Sequence, residues 1–185
     1  MTRRLAPEAL VVAMVVAFST ILFAASDQIQ VKANVSNGRV LTSFIATEAW
    51  PTEAREVLQA GVLLTFTYDI ELRRPSALWL DPVLARTTIQ LEAKRDTLMG
   101  TYQVTRIRDG RIERPERREQ ESEVRDWMTS VDQIDLQPTS ALEPNREYYV
   151  RVRLYMSPRS TISIGAIWPF DRDDGSGRAV FTYLR

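Results

Sequence analysis

Asp69 and Glu71 stand two residues apart in the stretch VLLTFTYDIELR, a spacing that sets both carboxyls on one face of a strand. Two acids facing each other across a cleft, about 5–10 Å apart, are the machinery of glycoside hydrolysis. A half-exposed strand carries the same pattern with no chemistry at all, its polar residues simply facing water, and that reading is preferred for this pair. A second candidate is Asp171-Arg172-Asp173-Asp174-Gly175-Ser176-Gly177. A calcium loop of the EF-hand type needs oxygen ligands at positions 1, 3 and 5, Gly at 6 and Glu at 12. Counted from Asp171, positions 5, 6 and 12 hold Gly175, Ser176 and Thr182, so the segment reads as a Gly-rich turn.

The residue inventory closes most other routes to catalysis. The 185 residues include no His and no Cys. That removes a Ser-His-Asp triad, a thiolate nucleophile, imidazole acid/base chemistry and His- or Cys-ligated zinc. No G-x-S-x-G nucleophile elbow is present. The sequence therefore predicts no catalytic residue, no metal ligand and no cofactor, and a domain that works by contact. The alternative is a carboxylate-dependent hydrolase acting on an envelope polysaccharide.

For contact, the aromatic residues outside regular alternation stand out. Trp79 lies between Pro75 and Pro82, and Trp168 and Phe170 flank Pro169. Loop aromatics either plug the ends of a sandwich or anchor a binding patch, since a large ring buries much apolar area on association. Trp79, Trp168 and Phe170 are the candidate partner contacts.

Where such contact takes place is written in the first 26 residues. Arg3 and Arg4 precede the apolar run ALVVAMVVAFSTILFAA (9–25), which ends on Ala24-Ala25-Ser26. A basic start, an apolar core and a small-residue exit are the parts of a secretory signal peptide. At 17 residues the run also reaches the lower edge of a membrane-spanning helix. Cleaved or retained as an anchor, it leaves Arg3 and Arg4 in the cytoplasm and sends everything from Asp27 outward. The expectation is a single exported domain over 27–185, periplasmic and either soluble after cleavage or held in the inner membrane by residues 9–25. Without cysteine it must be stabilised by core packing alone. Its charges balance: removing Arg3, Arg4 and Glu8 from 24 cations and 24 acids leaves 22 against 23. A nucleic-acid binder would carry a basic excess, so that class is excluded.

The elements that must position these residues are mostly strands. Ile29 to Val35 alternates apolar and polar, Asn37-Gly38 is a hairpin turn, and Arg39 to Ala46 is the return strand. Thr52 to Ala60 reads as a short helix stopped by Gly61. In Val62 to Arg73 the residues Leu64, Phe66, Tyr68, Ile70 and Leu72 share one face, with Thr65, Thr67, Asp69, Glu71 and Arg73 on the other. Val83 to Lys94, Thr101 to Ile107, Glu147 to Met156 and Ala179 to Leu184 continue the pattern. Residues 106–126 hold seven arginines and seven acids, read as a solvated hairpin tip leading into a helix that buries Val124, Trp127 and Met128. The predicted fold is mainly β: an antiparallel β-sandwich of about seven to eight strands with one or two short helices.

The order of these features carries a resemblance. A leader is followed by a hairpin, a helix ending at Gly61, and the strand GVLLTFTYDIELRR. A Trp-containing loop, a strand bearing Arg86 and Leu91, Leu98 followed by Tyr102, and a late YYVRVRLY strand complete it. From about Ile29 to Tyr155 the chain resembles the bacterial domain-of-unknown-function 4390 family. The resemblance implies an exported or membrane-anchored envelope protein of similar size, associated with membrane signalling, whose partner is another envelope or membrane protein. It implies no activity, so no functional residue is carried over from it.

Overall fold

Asn37 and Gly38 adopt φ of 49° and 70°, the left-handed pair that closes a two-residue hairpin. They join β1 (Gln30–Ser36) to β2 (Arg39–Ile45) with Ser36 opposite Arg39, as the sequence predicts. The computed structural model describes residues 28–77, 80–159 and 175–184. In it, β2 also pairs with β8 (Ser130–Pro138), giving a three-stranded antiparallel sheet ordered β1-β2-β8.

The second sheet is built around β3 (Leu63–Arg73), with β4 (Val83–Arg95) on one side and β9 (Arg146–Arg159) on the other. Beyond β9 lies β10 (Gly175–Tyr183), and beyond β4 lie β5 (Tyr102–Arg108) and β6 (Arg111–Ile112). A short β7 (Glu116–Arg118) also pairs with β5. All pairings are antiparallel.

The strict alternation of β3 decides where the core sits. Leu64, Phe66, Tyr68, Ile70 and Leu72 are all buried, and so are Leu91, Ile89, Val150, Val152 and Leu154 opposite them on β4 and β9. The small sheet covers this face. The Phe44 ring on β2 lies 4.7 Å from that of Tyr68, and Val40, Val131 and Ile134 join the same cluster. Helix α1 (Thr52–Gln59) adds Ala54 and Leu58, and α2 (Glu121–Thr129) adds Val124 and Met128. The two sheets touch along β1 and β10, where the Ile29 N–H donates to the Ser176 carbonyl at 3.4 Å. A sandwich with two α-helices results, as predicted.

Among the described residues there are ten strands, against the seven or eight expected. Two of the extra ones, β6 and β7, are two- and three-residue pieces inside the charged segment, which otherwise forms the expected hairpin and helix. The third is β8. Its pairing with β2 shifts register twice, and Gln133 takes a φ of 50°. Bulging places the buried Val131 and Ile134 three apart, so no period of two exists to be read from the sequence.

Among the described residues no helix is long and apolar enough to cross a membrane. Residues 9–25, on which the anchor expectation falls, lie outside the described residues.

Candidate functional site: an arginine-bound glutamate on the outer sheet face

The face of β3 that turns away from the core carries Asp69, Glu71 and Arg73. Antiparallel register puts Glu71 directly between Arg86 on β4 and Arg151 on β9. Asp69 lies between Thr88 and Arg153, and Arg73 lies beside Tyr149. Cross-strand neighbours on one face stand close enough to pair, so strand register alone assembles this cluster.

Glu71 was expected to face water, and here the structure corrects the sequence. Its side chain is only 1% exposed, covered by the arginines around it. Arg73 Nε donates to Oε2 at 2.8 Å and Arg151 Nη2 to the same oxygen at 2.6 Å, while Arg86 Nη2 donates to Oε1. Arg153 Nη2 stands between the two acids, 3.7 Å from Glu71 Oε1 and 3.8 Å from Asp69 Oδ2. Asp69 also accepts a 3.0 Å bond from the Thr88 hydroxyl. Burial by itself pushes the Glu71 carboxyl up. The hydrogen bonds from Arg73, Arg151 and Arg86 outweigh that effect and bring it down to about 2.

A second set of contacts adjoins the first. The Tyr149 hydroxyl donates to Asp81 Oδ2 at 2.6 Å, and the Ser76 N–H donates to Asp81 Oδ1 at 2.8 Å. The Tyr149 bond, and then that backbone bond, hold the Asp81 carboxyl below its usual range. Arg178 on β10 lies 3.8 Å above the Tyr149 ring, a cation–π contact. Arg178, Arg151, Glu71 and Arg86 thus form one row across four adjacent strands.

Chemically, this arrangement offers oriented guanidiniums to an anion. A carboxylate near 2 whose oxygens accept from three guanidiniums has no proton to give at neutral pH and is a weakened base and nucleophile. What Glu71 does is fix those guanidiniums in place. Each carries five N–H donors, and Glu71 takes only one from each of Arg73, Arg86 and Arg151. The Nε atoms of Arg151 and Arg153 are buried and have no hydrogen-bond partner among the described residues, so any donors offered outward are the Nη groups. Five arginines (73, 86, 151, 153, 178) face three acids (69, 71, 81), so a chain of zero net charge concentrates a local positive excess here.

Residues 25–160 match the family described as a domain of unknown function (DUF4390). The chain belongs to this family. Nothing among the curated proteins or the solved structures matches it. The DUF4390 match takes in every member of the arginine cluster except Arg178, since β10 falls beyond its end.

Elsewhere among the described residues, grooves of about 400 Å³ and 250 Å³ adjoin each other, and both are lined by Asp96 and Gln103. Their acids are already committed. Asp96 Oδ1 accepts from the N–H groups of Leu98 and Met99 at 3.0 Å each, and Glu116 pairs with Arg118 at 2.6 Å. No cluster of three or more potential metal ligands occurs among the described residues.

The candidate contacts Trp79, Trp168 and Phe170, and Asp171 to Asp174 of the tested segment, lie outside the described residues. Gly175, Ser176 and Gly177, read from the sequence as a turn, instead begin β10 against β9. The arginine cluster is what sequence reasoning missed. Its members on β3, β4 and β9 were visible as outward strand positions, whereas Arg178 preceded the predicted last strand, and the register that joins the four strands was absent.

Proposed function

We propose that this chain is a non-enzymatic contact module of the bacterial cell envelope, and that its contact surface is the arginine face of the larger sheet. Residues 1–26 export the domain, by cleavage or by anchoring it in the inner membrane, and the partner is an envelope or membrane protein presenting an acidic stretch. The observation that carries this reading is Glu71. Buried and held as a carboxylate by Arg73, Arg86 and Arg151, it is unsuited to acid, base or nucleophile chemistry but well suited to orienting guanidiniums. Planar guanidiniums held in fixed positions recognise carboxylates in bidentate fashion, at little cost in side-chain entropy. Trp79, Trp168 and Phe170 are the candidate apolar anchors of the same contact.

Cross-linking in intact envelopes, with a photoreactive residue in place of Gln90 on the outer face of β4, tests the reading. Capture of one envelope protein, weakened at least tenfold by Arg86→Gln plus Arg178→Gln in a folded and exported chain, is the expected result. Undiminished capture by that double variant, or an inactive alkaline-phosphatase fusion at the C-terminus, would overturn it.

A further inference from the structure

The hairpin between β4 and β5 ends in two exposed apolar side chains. Leu98 is 97% exposed and Met99 is 66% exposed. Loose loops often look this way, but this one is tightly bonded. Asp96 Oδ1 accepts from the Leu98 and Met99 N–H groups, its carbonyl accepts from Gly100 at 2.8 Å, and its N–H donates to Thr101 at 2.8 Å. Those two carboxylate bonds, the one from Met99 first, hold the Asp96 carboxyl below its usual range. A rigid turn that points Leu and Met into water forgoes burial that an ordinary polar turn would not need.

The charge behind the tip is arranged on both sides of the sheet. Lys94 and Arg117 both lie opposite Gln103, so they share one face. Arg95 and Arg118 both lie opposite Tyr102, on the other face. Two acids accompany them: Asp96, turned onto the backbone of the tip, and Glu116, paired with Arg118. Arg95 donates to the Gln59 carbonyl and Arg118 to Glu116, so Lys94 and Arg117 are the cations left exposed behind the apolar point. That arrangement suits a planar surface that is anionic outside and apolar beneath.

We propose that the β4–β5 tip inserts into an anionic phospholipid surface. Leu98 and Met99 enter the boundary between headgroups and acyl chains, while Lys94 and Arg117 stay level with the phosphates. The site is separate from the arginine face, so either proposal can fail while the other stands.

The absence of cysteine makes a direct test possible, since Leu98→Cys creates a single labelling site in the full chain. An environment-sensitive nitrobenzoxadiazole probe there should shift to shorter wavelength and brighten with vesicles of phosphatidylcholine containing 30% phosphatidylglycerol. With phosphatidylcholine alone it should change little. Residues 9–25 can hold the chain to either vesicle, so the control is the same probe at Ile112→Cys, on the exposed neighbouring hairpin; it should not shift. Lys94→Gln and Arg117→Gln should each raise the lipid needed for half the change about fivefold, the factor corresponding to ~1 kcal/mol per basic residue. A probe at 98 that stays in water, one that responds equally to both vesicles, or one indifferent to both cation variants would overturn the proposal.

Discussion

The Tyr68 hydroxyl donates a 2.8 Å hydrogen bond to the carbonyl of Met128, linking the central strand of the large sheet to the end of α2. Both residues are fully buried, and burial pushes the Tyr68 phenol far above the usual tyrosine range. Tyr68→Phe keeps the ring against Phe44 and leaves the Met128 carbonyl unsatisfied in the core. The loss should be about 1–3 kcal/mol in urea unfolding. A change below about 0.3 kcal/mol would show that the bond contributes nothing.

Phe66 tests the strand's inward face without any hydrogen bond. It is completely buried, and its ring centroid lies 6.0 Å from that of Trp50 and 6.5 Å from that of Tyr68. Phe66→Ala should cost about 3–5 kcal/mol, with little compensating collapse, because Tyr68 is held on the same strand by its bond to Met128 and Trp50 lies in the connection before α1. Equilibrium denaturation of the two chains measures it directly.

Why β3 was readable and β8 was not comes down to what each strand is paired with. The inward side chains from Leu64 to Leu72 meet a core at every second position, so the burial period survives in the sequence. In β8 two register shifts against β2 break that period. The candidate site divides in the same way. The outward positions of Asp69, Glu71, Arg151 and Arg153 follow from alternation within each strand. That Glu71 lies between Arg86 and Arg151 follows from register between strands 15 and 80 residues away, and no local pattern encodes it. A reading of Glu71 as solvent-facing was the natural result, because a polar residue on an outer face is buried only when its neighbours lean over it.

The contact between the two sheets depends on one small residue. A Cβ at Gly177 would run into the Ile29 carbonyl and crowd Val31. Backbone cannot rotate aside as a side chain can, so Gly177→Ala must separate β1 from β10. A loss of about 1–3 kcal/mol is expected, with faster hydrogen exchange at the Ile29 amide. Gly110→Ala, where a Cβ meets nothing within 4 Å, tests turn strain alone. If the two substitutions cost the same, the close approach is not what Gly177 serves.

Glu71 makes the sharpest prediction, because its pairing must appear in the acid limb of stability. In the folded chain its carboxyl lies at about 2, against a usual 4.5 when unfolded. A group lowered on folding stabilises above its unfolded value and loses that contribution as the pH falls toward the folded one. The stabilisation should therefore be complete above pH 4.5 or so, decline below it, and be gone near pH 2. The difference corresponds to about 3 kcal/mol of stability at neutral pH. Glu71→Gln should remove this acid-dependent loss and also cost about 3–5 kcal/mol at pH 7, because Arg73, Arg86 and Arg151 would crowd together with no anion between them. A second substitution separates repulsion from lost hydrogen bonds. If repulsion dominates, adding Arg151→Met to Glu71→Gln should recover part of the deficit, with the double variant more stable than Glu71→Gln alone. Urea unfolding of the three chains at pH 7 and pH 3 decides between these, and an unchanged acid limb in Glu71→Gln would show that the carboxylate is not the group responsible.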